Sequence, residues 1–156
     1  MAYIDENLLQ GEKLAHTTTL HWIIFLKPFL LFIFSFIVMI LIWDADIDIL
    51  KWIYYGLYII SFGLASIETI KLITTEFGVT NKRVIIKKGI IQRDSLEIFL
   101  HKVSGIQVNQ KILGRIFNFG TIIISGTGGN REYFDNINDP LKLRRSVQEQ
   151  VELNQK

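Results

Sequence analysis

Two long apolar runs occupy the first half of the chain, and few soluble folds have room for both. From Pro28 to Trp43 there is no charge and a single hydroxyl, Ser35. Ile23, Ile24, Phe25 and Leu26 extend that run backwards across Lys27, and a second uncharged run goes from Trp52 to Ile67. As a helix, Trp22 to Trp43 rises roughly 32 Å, about the thickness of a bilayer's hydrocarbon core. The two tryptophans then fall where an aromatic belt lies. Neither run has the polar face that a surface helix needs. A soluble core enclosing both is the alternative, but 156 residues leave too little other chain to bury them. The pattern therefore predicts a transmembrane helical hairpin over 22–72, with spans at about 22–43 and 51–71.

The rest of the chain is polar enough to live in water. Charged residues make up 21% of the whole chain, although its mean hydropathy is positive. Residues 73–156 hold 13 Lys/Arg against 8 Asp/Glu, a net of +5. There is no cysteine, which excludes disulfides, thiolate zinc sites and cysteine nucleophiles. No small-residue cleavage site follows the first run, so it reads as a span rather than a secretory signal. Basic residues set the orientation. The loop between the runs holds only Lys51, against Lys71, Lys82, Arg83, Lys87 and Lys88 after the second run. That places the loop outside and both termini in the cytoplasm.

Within the hairpin, Lys27 can reach the headgroups and Pro28 falls in the first turns of its helix, where proline is tolerated. Gly56, Ser61, Gly63 and Ala65 form a set of small residues at helical spacings on the second span. Such a face serves packing against the first span or self-association between protomers. Glu68 and Lys71, three positions apart, read as an interfacial ion pair. Asp44, Asp46 and Asp48 alternate like some calcium ligands but lack the glycine and the later glutamate of an EF-hand, and read as outward-facing charges.

Residues 1–21 form an N-terminal segment on the cytoplasmic side. Tyr3, Ile4, Leu8 and Leu9 suit one face of a short helix ended by Gly11, and Lys13–Thr19 has strand-like content; a disordered leader is the alternative. From residue 73 to 156 the pattern is β-rich. Strands are expected over Thr74–Thr80, Arg83–Lys87, Ile90–Arg93, Leu96–Leu100, Val103–Val108, Thr121–Ser125 and Arg131–Phe134, with turn residues between them. Ile112, Leu113, Ile116 and Phe117 give a helical face within Asn109–Asn118. Asp139 followed by Pro140 starts a last helix, whose Leu143, Val147 and Val151 face the core. The fold class is α+β: a membrane hairpin, then a seven-stranded barrel or sandwich with a C-terminal capping helix.

Particular residues sharpen this. The stretch Thr75-Glu76-Phe77-Gly78-Val79-Thr80-Asn81-Lys82-Arg83-Val84-Ile85 resembles the signature of the bacterial PH-like (pleckstrin-homology-like) domain family, specifically its membrane-anchored YdbS-like members. Leu113-Gly114-Arg115, Phe119-Gly120-Thr121 and Gly126-Thr127-Gly128-Gly129 match the later part of that pattern, and Gly11-Glu12 and His21-Trp22 the earlier part. The resemblance covers nearly the whole chain. It implies a PH-like barrel on the cytoplasmic side of a bacterial plasma (inner) membrane, and no enzymatic activity. Fold alone does not bring a phosphoinositide ligand with it.

Little in the sequence carries catalysis. Gly126 to Gly129 lacks the lysine of a phosphate-binding loop and reads as a hairpin turn. His101 stands between strands with no carboxylate or serine pattern around it, and His16 and His21 form no metal-ligand spacing. No cofactor, metal, small-molecule substrate or nucleic acid is expected. The basic cluster is the functional candidate. A strand leaving the bilayer carries Lys82 and Arg83 away from lipid, and the returning strand brings Lys87 and Lys88 back. Lys87 and Lys88 are thus the expected lipid-binding pair, and Lys82, Arg83 and Arg93 the expected partner-binding set. The expected function is a non-enzymatic, membrane-anchored interaction module. Its partners would be anionic lipid, a second copy, or a related PH-like membrane protein. The alternative is an accessory subunit of a transport or stress-resistance complex.

Overall fold

The computed structural model describes residues 4, 7–42, 48–89 and 94–154. They fall into two compact units, one made of residues 22–71 and the other of residues 1–21 together with 72–156.

The first unit is helical. A 3-10 turn, Trp22–Phe25, leads into α1 (Leu26–Leu41), and α2 (Asp48–Thr74) returns. Trp43 and the residues up to 47 lie outside the described chain. Trp22–Leu41 and Ile49–Thr74 are each long and apolar enough to cross a membrane. Both helices are mostly exposed within the described structure. Lys71 Nζ meets Glu68 Oε1 at 2.8 Å, the ion pair expected from their spacing.

The second unit is built from two antiparallel sheets. One sheet has the order β1 (Leu14–Thr19), β2 (Glu76–Thr80), β3 (Arg83–Lys88), β4 (Asp94–Phe99). The other has the order β5 (Val103–Asn109), β6 (Phe119–Gly126), β7 (Arg131–Asn138). A short helix, α3 (Ile112–Ile116), joins β5 to β6, and α4 (Pro140–Asn154) ends the described chain. Alternation along β2 and β3 turns Phe77, Val79, Val84 and Ile86 inward, where they meet Ile122, Ile124 and Phe134 of the facing sheet. Leu143 and Val147 of α4 close this core, with Val151 partly buried against it, so the expected face of the last helix holds.

Three expectations need correction. The sheets do not close into a barrel: they meet at one corner, where Leu20 bridges to Ile137 and the His21 N–H donates to the Asn136 carbonyl at 2.7 Å. The seven described strands are also not the seven expected. Ile90–Arg93 lies outside the described residues, and β1 comes from the N-terminal segment, pairing with β2 more than 50 residues later. Thr74 belongs to α2, and the strand begins at Glu76. Asp139 does stand immediately before α4, whose first residue is Pro140; its carbonyl accepts from the Lys142 and Leu143 N–H groups at 3.0 and 3.2 Å, and its carboxylate is held by the Asn118 side-chain amide and by Lys142.

Candidate functional site

Strand register gives the β unit two distinct ends. At one, Thr19 pairs with Glu76, and Glu76 pairs with Lys87. Thr19 lies three residues before Trp22, where the first apolar helix begins, and Glu76 lies two after Thr74, where the second ends. The chain therefore leaves and re-enters the β unit at this end, the exit end. The far end carries the Asn81-Lys82 turn and the Gly126–Asn130 hairpin. There, Asn81 accepts a hydrogen bond from Asn154 of α4 at 2.8 Å through its carbonyl, and the Thr127 N–H reaches the Lys102 carbonyl at 2.8 Å.

The far end is built around a buried ion cluster. Arg83 is 6% exposed. Its Nε donates to Glu12 Oε1 at 3.0 Å, and its Nη2 to Glu12 Oε2 at 3.1 Å and to the Asn7 carbonyl at 2.9 Å. Nη1 donates to Glu97. Glu12 also accepts from the Leu9 N–H and the Thr80 hydroxyl, each at 2.7 Å. Burial alone would raise the Glu12 carboxyl, but the Leu9, Thr80 and Arg83 donors together hold it below the usual carboxylate value. Beside it, Asn81 Oδ1 accepts from the Lys13 N–H at 2.8 Å and Lys82 Nζ donates to the Gln10 carbonyl at 2.8 Å. Ile4 is buried over Gly78, where an added Cβ would stand 2.8 Å from its side chain. The stretch from Gly78 to Arg83 is thus a clamp that holds the N-terminal segment on the outer face of the first sheet.

This relocates the expected partner-binding set. Arg83 is an interior structural group, because its guanidinium is already held by two carboxylates and a carbonyl. Lys82 is exposed but tied to Gln10, and Arg93 lies outside the described residues. Sequence reading missed the cluster because its two halves are about 70 positions apart.

The exit end carries the other candidates. Lys87 is half-buried opposite Glu76. Lys88, on the core-facing side of β3, places Nζ 4.8 Å from the Phe134 ring centroid, at the mouth between the sheets. His21 is buried at the same end, stacked on Phe119 with ring centroids 5.2 Å apart and hydrogen-bonded to the Phe117 backbone. Burial lowers its pKa from the ordinary 6.5, against the opposing pull of Phe117 and Asp139. Lys111, just before α3, and Arg115, within it, are also at this end, and both are exposed.

The small-residue set on α2 separates in the same way. Ser61 is buried and donates to the Pro28 carbonyl of α1 at 2.9 Å, and Ala65 lies one turn on, half-buried. Gly56 and Gly63 have nothing within 4 Å of where a Cβ would stand, so they do not bring the two helices closer. His101 is exposed and stacks on Phe99. Among the described residues, no group of three His, Asp or Glu side chains could hold a metal.

A family model described as Bacterial PH domain matches residues 23–151. No curated protein and no solved structure matches the chain.

Proposed function

We propose, from the premise that the chain belongs to the bacterial PH domain family, that it is a non-enzymatic membrane-anchored module. In this reading α1 and α2 cross the bacterial plasma membrane, and the β unit gathers anionic lipid on the cytoplasmic side. The match begins at residue 23, in the turn that opens the first apolar helix, which supports placing the chain among the membrane-anchored members of the family. The excess of basic residues after the second helix supports a cytoplasmic β unit.

One observation carries the lipid reading: Lys87 stands across the ladder from Glu76, two residues beyond the last helical residue, Thr74. Two residues of chain reach at most about 7 Å. That is within the screening length of about 8 Å at physiological salt, so a charge here feels headgroups at the helix end. Lys82, four to five residues further along the strand, is about 15 Å more distant and largely screened.

The test uses the full chain in vesicles of mixed zwitterionic and anionic phospholipid. Electron paramagnetic resonance of spin-labelled lipids measures the selectivity of the protein's lipid shell. Each lysine near an anionic surface is worth about 1 kcal/mol, about fivefold in local preference. Lys87→Gln with Lys88→Gln should lower the anionic selectivity several-fold, and Lys82→Gln should leave it in place. Equal selectivity in the double variant and the parent would reject the reading.

A further inference from the structure

The exit end carries a second surface that Lys87 and Lys88 do not explain. α3 is five residues long, yet it and the residue after it expose Ile112 at 79%, Leu113 at 55%, Ile116 at 68% and Phe117 at 44%. None of the four belongs to the core of the β unit. The helix is held down by its backbone instead. Gly114 is buried, and a Cβ there would come within 2.5 Å of the Phe119 carbonyl oxygen. Gln110 Nε2 donates to the Gly114 carbonyl at 3.3 Å and to the Phe119 carbonyl at 3.1 Å. α3 is thus fastened through its one small residue, and that mode of attachment turns its large apolar side chains outward. A contiguous apolar surface of this kind marks an interaction site.

Its surroundings choose the occupant. Lys111 and Arg115 stand exposed beside the apolar residues, the composition of a segment that lies in a membrane interface among anionic headgroups. The C-terminal end of α3 is bound to His21, through the Phe117 backbone and the Phe119 ring. The next residue, Trp22, opens the first apolar helix. The apolar phase nearest to α3 along the chain is therefore the bilayer.

We infer that α3 is an interfacial wedge. Ile112, Leu113, Ile116 and Phe117 enter the headgroup–acyl boundary of the leaflet on which the β unit sits, and Lys111 and Arg115 lie among its anionic headgroups. This rests on the reading of α1 and α2 as spans. Together with Lys87 and Lys88, the wedge gives the β unit a second, non-covalent hold on the surface.

The chain has no cysteine, so single labels report single places. Ile116→Cys, Gly128→Cys on the far hairpin and Ile33→Cys in α1 are each labelled with an environment-sensitive fluorophore. Each full chain is reconstituted in phosphatidylcholine–phosphatidylglycerol vesicles that carry shallow or deep spin-labelled lipids. A wedge predicts that position 116 is quenched most by the shallow lipid, position 33 by the deep one, and position 128 only by aqueous iodide. Insertion of this kind reaches about 5–10 Å. If 116 behaves as 128 does while 33 is quenched by the deep lipid, the wedge is wrong and the spans stand. If 33 is not quenched by lipid, the membrane reading fails, and the wedge with it. If 116 is shielded from both lipid and iodide and loses that shielding as protein is diluted in lipid, a second copy covers α3 and the inference is overturned.

Discussion

Glu12 and Arg83 make the β unit sensitive to single side chains. Both are buried, and each is the other's principal partner. Removing one partner of a buried pair leaves an uncompensated charge and costs about 3–5 kcal/mol, whereas replacing both with apolar groups of similar size is often neutral. Glu12→Ala should therefore destabilise the full chain by that amount in thermal unfolding in detergent, a fall of roughly 6–20 °C for a chain of this length. Glu12→Leu with Arg83→Met should recover most of the loss. Glu97, whose side chain is 39% exposed, is the lesser partner, and Glu97→Gln should cost under about 1 kcal/mol. The same corner of physics gives a pH dependence. His21 has its folded pKa below the ordinary 6.5, so the fold favours the neutral ring. Its contribution is fully present above 6.5 and is lost as pH falls through that value towards the lowered one. Glu12, lowered from 4.5, contributes above 4.5 and loses that contribution as pH falls below it. Stability should therefore decline in two stages on acidification. In His21→Phe, which keeps a ring against Phe119, the first stage should flatten; a parent curve flat from pH 7 to pH 5 would contradict the assignment.

Elements were legible where their period is unambiguous and their partner is near. The apolar runs became α1 and α2, Leu143 and Val147 face the core, and the Gly126–Gly129 stretch is a hairpin turn with Gly129 at φ +80°. What the sequence could not show is where a correctly identified face points. Ile112, Leu113, Ile116 and Phe117 have helical spacing, which says that they share a side but not that the side meets a core. Gly114 decides it, because only a residue without Cβ lets the backbone of α3 lie against Phe119. Arg83 misled for a related reason. A cation inside a basic cluster reads as surface, and no local window links it to Glu12. The glycine can be tested at the scale of its element. Gly114→Ala should displace α3 and cost about 1–3 kcal/mol, the range of overpacked sites. Gly105→Ala, where a Cβ meets nothing within 4 Å, should stay within about 0.5 kcal/mol in the same melting experiment.

At the scale of the whole molecule, the β unit is interrupted by the helices rather than preceded by them. Its edge strand β1 and the buried acid Glu12 come before α1, and the strand and the side chains they pair with, β2, Thr80 and Arg83, come after α2. A fragment starting at residue 73 would expose the long edge of β2 and leave Arg83 without its main partner, two defects that favour aggregation and unfolding. The ladder suggests how to repair it. Thr19 and Glu76 are directly paired and antiparallel, so their ends lie about 5 Å apart, within reach of a short hairpin connection. Joining His21 to Thr75 through a few Gly/Ser residues should therefore replace both apolar helices with a turn and preserve the order β1-β2-β3-β4. The expected result is a folded β protein with a cooperative melt that Glu12→Ala lowers, whereas the fragment 73–156 shows none. If the fragment melts as cooperatively as the joined chain, the N-terminal segment is an accessory. The clamp formed by Thr80, Asn81, Lys82 and Arg83 would then need another purpose.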